Sequence, residues 1–162
     1  MKYNKTITLK DGRTCCLRNG EEKDSAAVLA NFNLTHEETD YLFSYPDEND
    51  LDEAKEAEFL KGMEESENEI EIIAVIDGEV AGTAGFHSMG SKYKVRHRAD
   101  FGIAIVKEYW GLGIGKALTE ACIQCAREAG YTQLELEVVA ENEGAVAMYE
   151  RAGFVEFGRN PR

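Results

Sequence analysis

Between Ile103 and Leu118 the chain sets three alternate glycines, Gly111, Gly113 and Gly115, directly after a β-branched apolar run and directly before an amphipathic segment. A strand that turns through glycines into a helix presents free backbone N–H groups at the positive end of the helix dipole. Glycine lets a ligand approach those groups closely. Lys116 in the first helical turn and Lys107 ahead of the loop add positive charge. The guest that suits such a loop is an anion, a phosphate-bearing ligand above all. The G-x-G-x-G spacing is not the G-x-G-x-x-G of dinucleotide folds, and Ala117 after Lys116 excludes a Walker loop. Taken alone, the loop is a weak signal, since a plain strand-to-helix turn also accounts for it.

The run from Asn142 through Tyr149 to Gly153-Phe154 strengthens the ligand reading. With it, the sequence resembles the GCN5-related N-acetyltransferase (GNAT) family over nearly the whole chain, most specifically over residues 99–158. The resemblance implies an α/β fold: a mixed, mostly antiparallel twisted sheet with helices on both faces and a splayed central strand pair. Acetyl-CoA is the implied co-substrate, its pantetheine lying between strands 99–106 and 132–139. The family's Arg/Gln-x-x-Gly-x-Gly/Ala pattern falls on Trp110, Gly111, Leu112, Gly113, Ile114 and Gly115, so Trp110 stands where a basic or amide residue is usual. The implied cofactor contacts are these six residues with Ile105, Val106 and Lys116, plus Asn142 near the pantetheine arm. An amide of the strand, Ile105 first, is expected to polarise the thioester carbonyl.

The chemistry such a site performs needs two proton carriers. An amine is protonated at neutral pH and must lose a proton before it attacks the carbonyl, which suits a carboxylate; the expelled thiolate then needs an acid. By the resemblance Tyr149 lies near the sulfur and is the candidate acid; its plainer role is to pack a helix on the sheet. Glu137, in Leu136-Glu137-Val138, is similar to the base of family enzymes that acetylate ribosomal-protein N-termini. Its plainer reading is an outward strand carboxylate, and Asp100 competes for the same role. No cysteine is close to Tyr149 in sequence, which favours direct attack in a ternary complex over an acyl-enzyme. A non-catalytic acyl-CoA-binding module is the alternative function.

These residues must be positioned by a chain of 162 residues with 43% hydrophobic content, the size of one domain spanning 1–162. Thr6 to Leu9 and Thr14 to Arg18 read as a small hairpin. Asp24-Ser25 caps a helix with Ala26, Val28, Leu29 and Phe32 inward. A second helix over Leu51–Met63 turns Ala54, Ala57, Leu60 and Phe59 inward, and the aromatic stretch Tyr41–Pro46 lies between them. Ile70–Ile76, Asp77-Gly78 and Val80–Phe86 form a hairpin, Ala99–Val106 a strand, and Gly113–Ala129 a helix stopped by Gly130. Thr132–Val139 alternates as a strand, Gly144–Ala152 is a short helix, and Phe154–Phe157 begins a last strand.

Net charge is −13, and residues 37–71, with 15 acids against Lys55 and Lys61, carry an imbalance of the same size. Such a chain repels phosphate backbones, so no nucleic-acid partner is expected. The acidic window suits a cationic acceptor such as a polyamine, an aminoglycoside or a peptide amine; its plainer reading is a solvated surface. No apolar run is long enough to span a membrane, and the N-terminus has no signal-peptide core, so a cytoplasmic location is expected. Cys15, Cys16, Cys122 and Cys125 read as buried thiols, and no His or Cys spacing suggests a metal. The basic tip of Lys92, Lys94, Arg96 and Arg98 reads as a solvated turn. A homodimer remains open, as does a further strand beyond Arg162.

Overall fold

Asp77 and Gly78 both take positive φ, 50° and 81°. That pair closes the two-residue turn that right-twisted strands accept, and it joins β3 (Ile70–Ile76) to β4 (Glu79–Ser88). The computed structural model describes residues 1–38, 52–92, 94–138 and 142–158. Around this hairpin six strands lie in chain order: β1 (Asn4–Thr8), β2 (Thr14–Asn19), β3, β4, β5 (Arg98–Ile105) and β6 (Gln133–Glu135). Every neighbouring pair is antiparallel except β5–β6, whose parallel pairing follows from the crossover through α3 (Ile114–Glu128). The remaining helices are α1 (Ser25–Glu38), α2 (Glu53–Glu65) and α4 (Glu143–Arg151). The mixed, mostly antiparallel α/β sheet expected from the sequence is the one observed.

Alternation along β3 divides the interior in two. Ile70, Ile72, Ala74 and Ile76 join Leu17, Phe86 and Phe101 against Ile114, Leu118, Ala121 and Cys122 of α3, the stripe its spacing predicts. On the opposite face Ile73 meets Val28 of α1 and Leu60 of α2, flanked by Val75 and Val80. Cys15, Cys122 and Cys125 are buried and free. Burial pushes Cys15 and Cys125 up to about 11 and raises Cys122 as well, so these thiols fill space as small apolar groups. No helix of the described residues is long and apolar enough to cross a membrane.

Four sequence expectations are corrected. α1 buries Ser25, Val28, Asn31, Thr35 and His36, while Ala26 is exposed. α2 starts after Asp52, whose side chain accepts from the Lys55 N–H at 2.8 Å, and it buries Glu56, Leu60 and Met63; Phe59 and Ala54 face outward. Both helices cover a sheet face with only a small apolar patch, so their inner sides are partly polar. Of the alternating stretch 132–139, the described residues to Val138 are strand only over Gln133–Glu135, and Val139 lies outside them. Phe154–Phe157 forms no strand: Phe154 stacks on Phe101, and Val155 and Phe157 are exposed. Leu51 and the aromatic stretch Tyr41–Pro46 lie outside the described residues.

Candidate functional site

The parallel ladder is short. Arg98, Ala99 and Asp100 pair with Gln133, Leu134 and Glu135, after which β5 keeps only its β4 partner for five residues, Phe101–Ile105. Leu136 and Val138 stay packed on the main core while their backbone leaves the sheet. The last paired rung is held by Arg98, which grips the Glu135 carboxylate with Nε and, at 2.7 Å, with Nη2. On the other side of β5, the Val106 N–H donates to the Ala81 carbonyl of β4 at 2.9 Å. Neighbouring residues of a strand send their polar groups to opposite sides, so the Ile105 N–H and C=O face the gap that β6 vacates. The Trp110 indole N–H donates to that Ile105 carbonyl at 2.8 Å, from a side chain 51% exposed.

At the end of the gap comes the glycine loop. Gly113, the residue that caps α3, has φ 95°, a conformation costly for any side chain. The first bond across this end runs from the Ala117 N–H to the Gly113 carbonyl at 3.1 Å, so Ile114, Gly115 and Lys116 have no helical acceptor for their N–H groups. Gly115 is needed for a different reason. A Cβ there would stand 3.1 Å from Met148 Sδ of α4 and 3.3 Å from Ile105 Cδ1, so its absence lets α3, α4 and β5 close together. The Val106 and Ile114 side chains are buried, which leaves only their backbone to meet a ligand. Leu112 is half-buried, while Gly111, Lys107 and Lys116 are exposed.

Three distant segments brace this loop. The Lys10 N–H, in the β1–β2 turn, donates to the Leu112 carbonyl at 3.2 Å. The Lys107 N–H donates to the Glu38 carboxylate of α1 at 2.9 Å, and the Tyr109 hydroxyl to Glu79 at 3.2 Å. Sequence spacing carries no signal for such contacts.

Tyr149 of α4 lies beside β5, its ring edge-on to Phe101 at 6.2 Å and to Phe154 at 5.9 Å. Burial pushes its phenol up to about 12, and the hydroxyl makes no hydrogen bond to a described residue. Asn142 begins α4 without a side-chain capping bond, which leaves its amide unused there. Glu137 is exposed, opposite Leu136 and Val138 as the alternation predicts. Asp100 faces His87 on the neighbouring strand, 3.6 Å from Nε2 to Oδ2. By register Asp100, Glu135 and, two residues on, Glu137 share the sheet face covered by α1 and α2, whereas Tyr149 lies on the α3 face.

That α1–α2 face also carries Glu71 of β3, which no motif singled out. It sits two residues from Ile73, where the apolar patch against α1 and α2 would continue. Burial first and the Glu56 charge of α2 second push its carboxyl up to about 8, with the Thr83 hydroxyl opposing the rise. The signal available in the sequence was a lone carboxylate inside the strand run Ile70–Ile76.

The chain belongs to the Acetyltransferase (GNAT) family, which it matches over residues 31–154. N-alpha-acetyltransferase 30 of Schizosaccharomyces pombe is 42% identical over 57 residues, 35% of this chain and 38% of that protein. The match therefore spans well under half of that relative's length. The acetyltransferase of GNAT family from Streptococcus pneumoniae superposes with a TM-score of 0.84 at 33% identity, over 89% of this chain and 86% of that one. Ribosomal-protein-alanine N-acetyltransferase from Brucella melitensis gives 0.78 at 25% identity, over 88% and 85%.

Proposed function

We propose that this protein transfers the acetyl group of acetyl-CoA to a primary amine by direct attack in a ternary complex. The observation that carries the reading is the parting of β5 from β6 after Asp100, with Ile105 polar groups facing the gap and a free-amide helix start at its end. A linear arm fits along an unpaired strand edge, and a pyrophosphate fits at a helix N-terminus. Membership of the family and relatives named as N-acetyltransferases support the same conclusion.

Acetyl-CoA supplies an acyl thioester whose sulfur is the leaving group. The amides from Gly111 to Lys116 bind phosphate, with Lys107 and Lys116 adding charge, and Asn142 holds the pantetheine arm. The Ile105 N–H polarises the carbonyl. A carboxylate on the α1–α2 face, Glu137 or Asp100, takes a proton from the amine; its lone pair then forms the C–N bond as the C–S bond breaks. Tyr149 serves the departing sulfur. An ordinary thiol titrates near 8.5, so complete proton release from a phenol at about 12 is uphill. Its main contribution is thus a hydrogen bond to the developing thiolate.

The acceptor is a cationic amine, a class suggested by the acids of residues 37–71 and consistent with a peptide N-terminus. The test is a titration of acetyl-CoA against the thermal midpoint, followed by thiol release with a panel of amines. Ligand at 100 times its dissociation constant stabilises the fold by about 2.7 kcal/mol. A shift with turnover supports the enzyme; a shift with no turnover for any amine favours a non-catalytic acyl-CoA-binding module; no shift rejects both.

A further inference from the structure

Glu71 occupies a place where an apolar residue would cost nothing. Its strand neighbours on the same face build the small core against α1 and α2, yet the chain sets a carboxylate there, within electrostatic reach of a second one. Glu56 of α2 is only 6% exposed, and its carboxylate has no counter-ion or hydrogen-bond partner among the described residues. Glu71 is half-buried, and two carboxyls drawn this far from water with no cation among the described residues are costly unless something positive joins them.

The floor beside them is stripped of side chains. Glu71 is in register with Gly85 on β4, and Gly85 with Gly102 on β5. A Cβ on Gly85 would stand 2.5 Å from Glu71 Oε2, so the carboxylate reaches over β4 toward β5. A Cβ on Gly102 would meet nothing within 4 Å. Adjacent strands are about 4.8 Å apart, which puts the carboxylate roughly one strand spacing from Gly102, the second residue of β5 with no β6 partner. The two glycines form a trough that runs from Glu71 to the edge where β5 and β6 part.

We propose that Glu71, backed by Glu56, receives the ammonium group of the acceptor over the Gly85–Gly102 trough and takes its proton, directly or through one water. This rests on the acetyl-transfer reading above and moves the base from Glu137 and Asp100 to β3. The ammonium gives one proton to the Glu71 carboxylate, which passes it to solvent. The amine forms the C–N bond as the C–S bond breaks, and its second proton accounts for the S–H of the released thiol. One proton is released per turnover, and no electrons are exchanged. The elevated titration of Glu71 suits a base for this substrate, because an alkylammonium loses its proton near 10.4, far above an ordinary carboxylate but close to a group at about 8. Besides burial, the groups that set its titration are Glu56 from α2 and Thr83 from β4; the Glu71 charge in turn raises Cys122 of α3 on the other side of the sheet. The His87–Asp100 pair lies farther along the same face.

The test uses the full chain with acetyl-CoA and three probes: spermidine, n-butylamine and an alanine-initiated peptide. Glu71→Gln keeps shape and the Thr83 contact, so a merely structural residue would tolerate it. The expected result is an unchanged thermal shift with acetyl-CoA and a fall of roughly 100-fold in kcat, with loss of the ascending, acid-side limb of the wild-type pH–rate profile, the limb that a base working deprotonated produces. Gly102→Val, which fills the trough, raises KM for the amine and leaves acetyl-CoA binding alone. Carboxyl 13C NMR, with the Glu71 signal assigned by the Gln variant, gives a readout free of turnover: an amine lowers the Glu71 midpoint. Unchanged kcat and pH profile in Glu71→Gln, or a Glu71 midpoint moved by none of the three amines, overturns the proposal. A wild-type protein that does not bind acetyl-CoA overturns instead the reading on which it rests.

Discussion

Arg98 at the start of β5 holds Glu135 at the end of β6 in a two-pronged ion pair that spans the ladder from its first rung to the last, beyond which the two strands separate. The pair works as a clasp below the opening: it keeps three residues of parallel ladder closed so that the next five can stand free. The Arg98 guanidinium, with Gln133 assisting, holds the Glu135 carboxyl below the usual carboxylate range. A carboxylate lowered on folding contributes stability that is whole above its unfolded value and disappears as pH falls through the folded one. Glu135→Gln should therefore lower the thermal midpoint at neutral pH and leave it unchanged in strong acid. A difference from wild type that persists undiminished at low pH would contradict the assignment.

Gly113 offers a test of the loop. Its left-handed conformation makes Gly113→Ala cost about 1–2 kcal/mol, and the twisted amides should bind acetyl-CoA more weakly. Calorimetric melting and acetyl-CoA titration measure the two effects separately. Full stability in the alanine variant would mean that the loop relaxes and the φ of Gly113 is not required.

Tyr149→Phe separates packing from chemistry. The ring contacts to Phe101 and Phe154 survive the change, so the melting temperature and acetyl-CoA binding should stay close to wild type. Turnover should fall roughly 10- to 100-fold. Because the phenol titrates at about 12, no activity limb below pH 10 should disappear with it. A variant with wild-type turnover would reduce Tyr149 to a packing residue.

Trp110 stands where relatives of the resembled pattern carry a basic or amide side chain. Trp110→Arg should tighten acetyl-CoA binding several-fold at low salt, with the gain screened away near 1 M salt. It also removes the donor to the Ile105 carbonyl, so kcat need not follow affinity. Equal salt dependence in the two proteins would show that position 110 does not meet the phosphates.

The parts of the fold visible in the sequence are those fixed by local rules. Asp77-Gly78 declared its turn, and Ile114, Leu118, Ala121 and Cys122 declared one face of α3. The glycine loop was legible because strand, glycines and helix follow without a gap. The stretch 132–139 misled because alternation reports burial, not pairing: Leu136 and Val138 go on packing after the ladder has ended. Glu56 and Glu71 escaped notice because a carboxylate in a helix or strand pattern normally marks the solvent side. Here two successive elements, α2 and β3, bring theirs close enough for Glu56 to raise Glu71. Phe154–Phe157 looked like a strand on composition alone; Phe154 packs on Phe101, while Val155 and Phe157 stay exposed.

The hydrogen bond from Lys10 to Leu112 joins residues 102 positions apart, and Arg13 of the same β1–β2 turn lies 5.6 Å over the Tyr109 ring. Contacts of such separation form only after long stretches of chain have been brought together. The loop that binds phosphate in our reading cannot settle from its own helix outward; it waits for the first hairpin to dock at the far edge of the sheet. Competence of the site is thus tied to completion of the whole sheet, and a chain that has built α3 and the central hairpin has not yet built a place for its co-substrate.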